Sequence, residues 1–170
     1  MNREDLAVKL VTDLAKLVVG HPDKLQDNVR EFGRATVLIL RAVGCDTGRL
    51  VGPRGAMVQA LKRVGNDIAL DGFDLMINEP TTNAPVIALK PWAEKPAKSV
   101  LEGIVAAVFN GSATVKWQAA GNTDLVEVVV SSGFDCDLIE RLNNDLGMIF
   151  HAIGRAHNRN IHLNVREATR

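Results

Sequence analysis

Tyrosine is absent from this 170-residue chain, and aromatic residues make up only 4% of it. That excludes a sheet stacking successive bases on a broad aromatic platform. Cysteine is scarce: Cys45 and Cys136 alone make no disulfide framework, and both read as buried, reduced thiols near strand ends. Neither charge sign is in excess, since 20 Lys and Arg balance 20 Asp and Glu. Coating a polyanion by bulk electrostatics is excluded, so any nucleic-acid affinity must come from a local patch. No apolar run approaches membrane-spanning length, and Met1-Asn2-Arg3-Glu4-Asp5 lacks the pattern of a signal peptide. The expectation is a soluble, cytoplasmic protein. Catalytic signatures are missing as well: there is no nucleophile elbow, no G-K-[ST] phosphate loop and no carboxylate pair in recognisable context. No enzymatic activity and no cofactor are expected. His151, His157 and His162 lie six and five residues apart, which puts no two neighbours on one helix face, so no metal site is expected there.

Hydrophobic residues, at 46%, are sufficient for a packed core. Leu6, Leu10, Leu14 and Leu17 form a helical stripe over residues 4–19, ended by Gly20-His21-Pro22. Val29–Phe32 and Thr36–Val43 read as strands around Gly33-Arg34. Asp46 or Thr47 is the expected cap of a short turn, Gly48–Val51. Met57, Leu61, Val64 and Ile68 place a helix over residues 55–69, and Phe73–Ile77 alternates as a strand. Residues 80–95, rich in proline, read as a linker that includes a short apolar piece, Val86-Ile87-Ala88-Leu89.

The second half repeats this order. A helix over 96–109 is followed by strands at Thr114–Gln118 and Leu125–Val130, a long apolar-periodic segment, and a strand at Ile161–Val165. At an offset of about 89 residues Gly44 falls on Gly133, Leu61 on Phe150 and Gly65 on Gly154. The expected class is α/β of the α+β kind, with units at 1–79 and 96–170, each a three-stranded sheet with helices on one face. Trp92 and Trp117 read as packing residues. Arg155, Arg159, Arg166 and Arg170 read as a solvated basic surface, with a secondary RNA contact as the alternative.

The halves part at Gly52-Pro53-Arg54-Gly55. This glycine-x-x-glycine loop lies between a short apolar turn and an amphipathic helix, and four outward-facing N–H groups are expected at that helix start. Arg49, Arg54, Lys62 and Arg63 stand in or beside it, with no acidic residue between Arg49 and Arg63. In the matched window 138–152 both glycines are gone, and Arg141 stands against Glu140 and Asp145. A glycine turn, a helix start and local positive charge suit the phosphates of a single nucleic-acid strand.

With these residues the first half, over about 4–79, resembles a K-homology (KH) domain of the bacterial type, similar to the small RNA-binding proteins of the KhpA family. The resemblance rests on Val18-Val19-Gly20-His21-Pro22-Asp23, the strand 36–43, Asp46–Gly55, Ala60-Leu61-Lys62-Arg63 and Leu75-Met76-Ile77. It implies a type II KH fold, with single-stranded RNA held in a groove beside the loop. It places RNA contacts at Gly52, Pro53, Arg54 and Gly55, and more loosely at Arg49. Lys62 and Arg63 would add attraction, and Val51, Met57 and Val58 would line an apolar groove for bases. Pro53 departs from the family pattern, which puts Lys or Arg after the first glycine, and it removes one N–H donor. The second half resembles a degenerate KH unit in element order alone. The expected partner is single-stranded RNA or a structured RNA loop, free, on a ribosome or with another RNA-binding protein. The alternative is a scaffolding or homodimerising module.

Overall fold

A computed structural model describes residues 1–78 and 91–169. The chain opens with α1, Arg3–Val18. Asn2 caps it, its side chain accepting the Asp5 N–H at 2.6 Å, and Glu4 and Asp5 sit at the positive helix start. Leu10, Val11, Leu14 and Val18 form its buried face. The hairpin β1, Gln26–Phe32, and β2, Ala35–Arg41, turns at Gly33. β1 begins three residues before the apolar signal at Val29, because Gln26 pairs with Arg41 through backbone whatever its side chain. β2 stops at Arg41, short of the expected Val43: Ala42-Val43 lead into α2, Gly44–Val51, which is longer than the expected turn. A 3-10 turn at Pro53–Gly55 joins it to α3, Ala56–Ala69, and β3, Phe73–Ile77, returns parallel to β2.

The second half runs α4, Glu94–Val108; β4, Ala113–Ala120; β5, Thr123–Val130; α5, Cys136–Ala156; and β6, Asn160–Glu167. Its sheet has the topology of the first: an antiparallel hairpin, then a parallel third strand. Pro96 lies in the first turn of α4, where its missing N–H costs no helix bond. Where the first half breaks into α2, a glycine turn and α3, α5 is one continuous helix of 21 residues. Most of the expected linker, including Val86–Leu89, lies outside the described residues.

One apolar core serves both halves. α1 packs on α3 within the first half, and between halves α1 meets α4 and α3 meets α5. The crossed pairs α1–α5 and α3–α4 also touch. Exchanging the halves exchanges these two crossed pairs, and each half sets its own sheet against its helices. Leu61, Val64 and Ile68 of α3, with Leu142, Leu146 and Ile149 of α5, are fully buried. Each such side chain contributes roughly 1.5–3 kcal/mol.

The matched glycines, Gly65 and Gly154, have one task. A Cβ on Gly65 would overlap the Phe73 ring at the start of β3, and one on Gly154 would lie 2.7 Å from the Arg159 carbonyl oxygen just before β6. In both halves the helix end lies directly on the chain entering the third strand.

Candidate nucleic-acid interface

The Gly52–Gly55 loop is built from left-handed residues. Gly52, Arg54 and Gly55 have φ of 70°, 53° and 78°. A Cβ on Gly52 would also fall 2.7 Å from the Met57 Cβ, so this glycine is required by both its backbone angle and the start of α3. Arg54 is not glycine, and its backbone carries strain of about 1 kcal/mol or more. Its side chain is exposed and has no ion-pair or hydrogen-bond partner among the described residues.

Part of the expected row of free N–H groups is engaged within the turn itself. Gly52 donates to the Gly48 carbonyl at 2.9 Å, Gly55 to Gly52 at 3.2 Å and Ala56 to Pro53, while Pro53 has no N–H. These bonds leave fewer backbone donors for an anion, so side-chain cations carry more of any attraction here.

Of the four cations read as one patch, three have acidic partners that are remote in sequence or behind the loop. Arg63 gives two hydrogen bonds to Asp145 of α5, at 2.9 and 2.6 Å. Lys62 pairs with Asp74 of β3 at 2.8 Å, and Arg49 lies 3.3 Å from Asp46. Lys62 and Arg63, expected at the RNA interface, are each engaged in an ion pair with a residue of another element. Asp67 is the nearest acidic residue after them in sequence, but the fold brings Asp74 to Lys62 and Asp145 to Arg63.

A cleft of about 310 Å³ opens beside the loop. Gly48 and Arg49 of α2, Gly52, Pro53 and Met57 form one wall, and Val18 closes the end of α1. The opposite wall is Ala152, Arg155 and Ala156, from the last turns of α5. Arg155 is exposed and no partner holds it among the described residues. Val51 and Val58, expected in the groove, are half-buried and do not line it; Val58 packs against the core instead. Arg54 and Gly55 sit at the loop tip, outside the lining. Arg155, first read as solvated surface, stands in the wall.

Behind the loop, Asp46 does not cap its helix. Its carboxylate is fully buried and accepts the N–H of Gly20 at 2.7 Å, the N–H of His21 at 2.9 Å and the His21 Nδ1 at 2.9 Å. Burial raises its pKa, but these bonds and Arg49 outweigh that and hold it below the usual carboxylate value. Asp46 thereby fixes α2, and the loop after it, to the end of α1. The capping role falls instead to its counterpart region, where Asp135 caps α5 by accepting the Asp137 N–H at 3.0 Å. His21, Cys45 and Asp46 present ligand-type atoms within 4.8 Å of one another. With the carboxylate engaged by four donors, one of them a guanidinium, the cluster suits an anchor better than a cation site. Sequence separation of 25 residues hid this cluster.

The cysteines are corrected too. Both lie on helices; Cys45 is half-buried and Cys136 is exposed at the start of α5. Trp92 and Trp117 do pack: their rings stack at 6.2 Å, Arg159 lies over Trp92 at 5.8 Å, and His157 bridges to the Leu17 carbonyl at 3.3 Å.

No helix among the described residues is long and apolar enough to cross a membrane. Against known proteins, no family model matches this chain and no curated protein matches it significantly.

Proposed function

We propose that this protein binds single-stranded RNA, or the loop of a structured RNA, at the Gly52–Gly55 turn and the cleft beside it, as a KH-type module without catalytic activity. The observation that carries this reading is Arg54. It is held in a strained left-handed conformation between two positive-φ glycines, its guanidinium exposed and unpaired among the described residues. Among the described residues no folding interaction of that side chain offsets the strain, whereas a phosphate would. Arg49 and Arg155 face the same cleft, and no acidic residue among those described lines it. Val18, Met57, Ala152 and Ala156 supply apolar surface for base faces.

The test is fluorescence anisotropy of short single-stranded RNAs against the whole protein and Arg54→Asp, a residue that tolerates positive φ. Loss of about tenfold or more in affinity, at unchanged thermal stability, supports the reading. Equal affinity of both proteins sinks it.

A second reading, a homodimerising scaffold, is favoured by β1. Every residue of this edge strand is exposed, including Val29 and Phe32 at 45% and 62%. Light scattering that shows a dimer lost in Phe32→Lys, with no RNA binding, would establish that account in its place.

A further inference from the structure

Next to the loop cleft lies a second one, of about 470 Å³, and Arg155 lines both. The second cleft is formed by His151 of α5, by Asn158 and Arg159 after it, and by Asn122 and Thr123 at the β4–β5 turn. We infer that the two clefts form one continuous track, and that an RNA strand gripped at the Gly52–Gly55 loop continues over Arg155 onto the second half. This rests on the proposed RNA reading and extends it: the half without a glycine loop supplies the far part of the site.

Charge supports an anionic strand here. Among the described residues no Asp or Glu side chain lines either cleft, although acidic residues equal basic ones in the chain as a whole. Arg155 sits in the last turn of α5, where a cation offsets the negative end of the helix. Carbonyls there are also occupied, since that of Gly154 accepts from His157 at 3.0 Å and Arg159 at 2.8 Å. Arg159 itself is committed to Asp124 and Trp92, so it shapes the cleft floor and leaves the amides of Asn122 and Asn158 and the His151 ring to meet the ligand. Such amides pair with base edges and sugar hydroxyls without adding net charge.

Oligouridylates of about four and about ten nucleotides separate the two levels, because a glycine-loop module alone grips about four. Full-length wild type is compared with Arg54→Asp and with His151→Glu/Asn158→Asp, which adds negative charge at exposed positions of the second cleft. Asp suits position 158, whose φ is 53°. The expected result is about tenfold tighter binding of the longer RNA by wild type. That gain disappears in the double variant, which still binds the short RNA within about threefold of wild type, while Arg54→Asp weakens both lengths. Wild type that binds both lengths equally, with the double variant unchanged, overturns the track and leaves the loop reading standing. Wild type that binds neither overturns both.

Discussion

Arg63 of α3 and Asp145 of α5 are joined by two hydrogen bonds, from Nε at 2.9 Å and Nη2 at 2.6 Å. One turn along α3, Asp67 receives Arg141 of α5 at 2.7 Å. The pairs advance in opposite directions along the two helices, so α3 and α5 run antiparallel, with the halves clamped at this seam. An arginine that the sequence places beside the glycine loop is the rivet between the two units.

Arg63→Ala is therefore expected to reduce stability and to spare RNA binding. Asp145 is buried and would lose its partner, a change that costs 3–5 kcal/mol for a wholly buried pair. Arg63 is 44% exposed, so water reaches part of the pair and about 1–2 kcal/mol is expected. Urea unfolding measures this. Arg63→Met/Asp145→Leu should recover part of the loss. A large drop in RNA affinity of the folded Arg63→Ala protein would contradict the assignment.

Asp46 should make the protein acid-sensitive. Its folded-state pKa is depressed: burial opposes ionisation, but the donors from Gly20 and His21, with Arg49 nearby, prevail. A depressed carboxyl contributes stability that is fully present above its unfolded value, about 3.9, and disappears as pH falls through the folded value. Asp46→Asn should be less stable at neutral pH and lose less additional stability upon acidification below about pH 4. Denaturant midpoints at several pH values test this, and parallel curves for both proteins would refute it.

The repeat was legible in the sequence because periodicity and order survive divergence: helical stripes, paired strands and the glycines Gly65 and Gly154 all keep their places. The candidate site was legible only where chemistry is local, at the turn formed by Gly52, Pro53, Arg54 and Gly55. Asp74 and Asp145 are 12 and 82 residues from the cations they neutralise, and no window around the loop contains them. Arg155 enters the cleft only because α5 packs on α3, a tertiary fact that periodicity cannot carry.

Two glycines of α5 should respond oppositely to alanine. At Gly154 the new Cβ meets the Arg159 carbonyl at 2.7 Å and Ile161 at 3.1 Å, and backbone must shift. A loss of about 1–3 kcal/mol is expected. At Gly147 the nearest atom lies 4.0 Å away, so Gly147→Ala should stabilise by about 0.5–1 kcal/mol through helix propensity. Thermal melts of both variants decide the matter. Equal effects would mean that the Gly154 contact is not limiting.

Arg54→Gly separates strain from function. Glycine adopts φ of 53° without penalty, so the backbone cost of about 1 kcal/mol disappears and the melting temperature should rise. RNA affinity should fall all the same, because the one unpaired cation of the loop is gone. A variant that is more stable and binds equally well would remove Arg54 from the interface.

On the proposed reading, salt dependence would count the cations that meet RNA. If Arg49, Arg54 and Arg155 each neutralise one phosphate, the logarithm of the association constant should fall with the logarithm of salt concentration at a slope near −2, about −0.7 for each contact with a single strand. Were Lys62 and Arg63 also engaged, as the sequence alone implies, five contacts would steepen the slope to about −3.5. The difference lies well within the reach of titrations over a modest salt range. Arg155→Gln should make the slope shallower by about 0.7, whereas Lys62→Gln should leave it unchanged, because Asp74 already holds that ammonium at 2.8 Å. A slope near −3.5 in wild type would show that RNA displaces Asp74 and Asp145 from their partners, and that the seam between the halves opens when RNA binds.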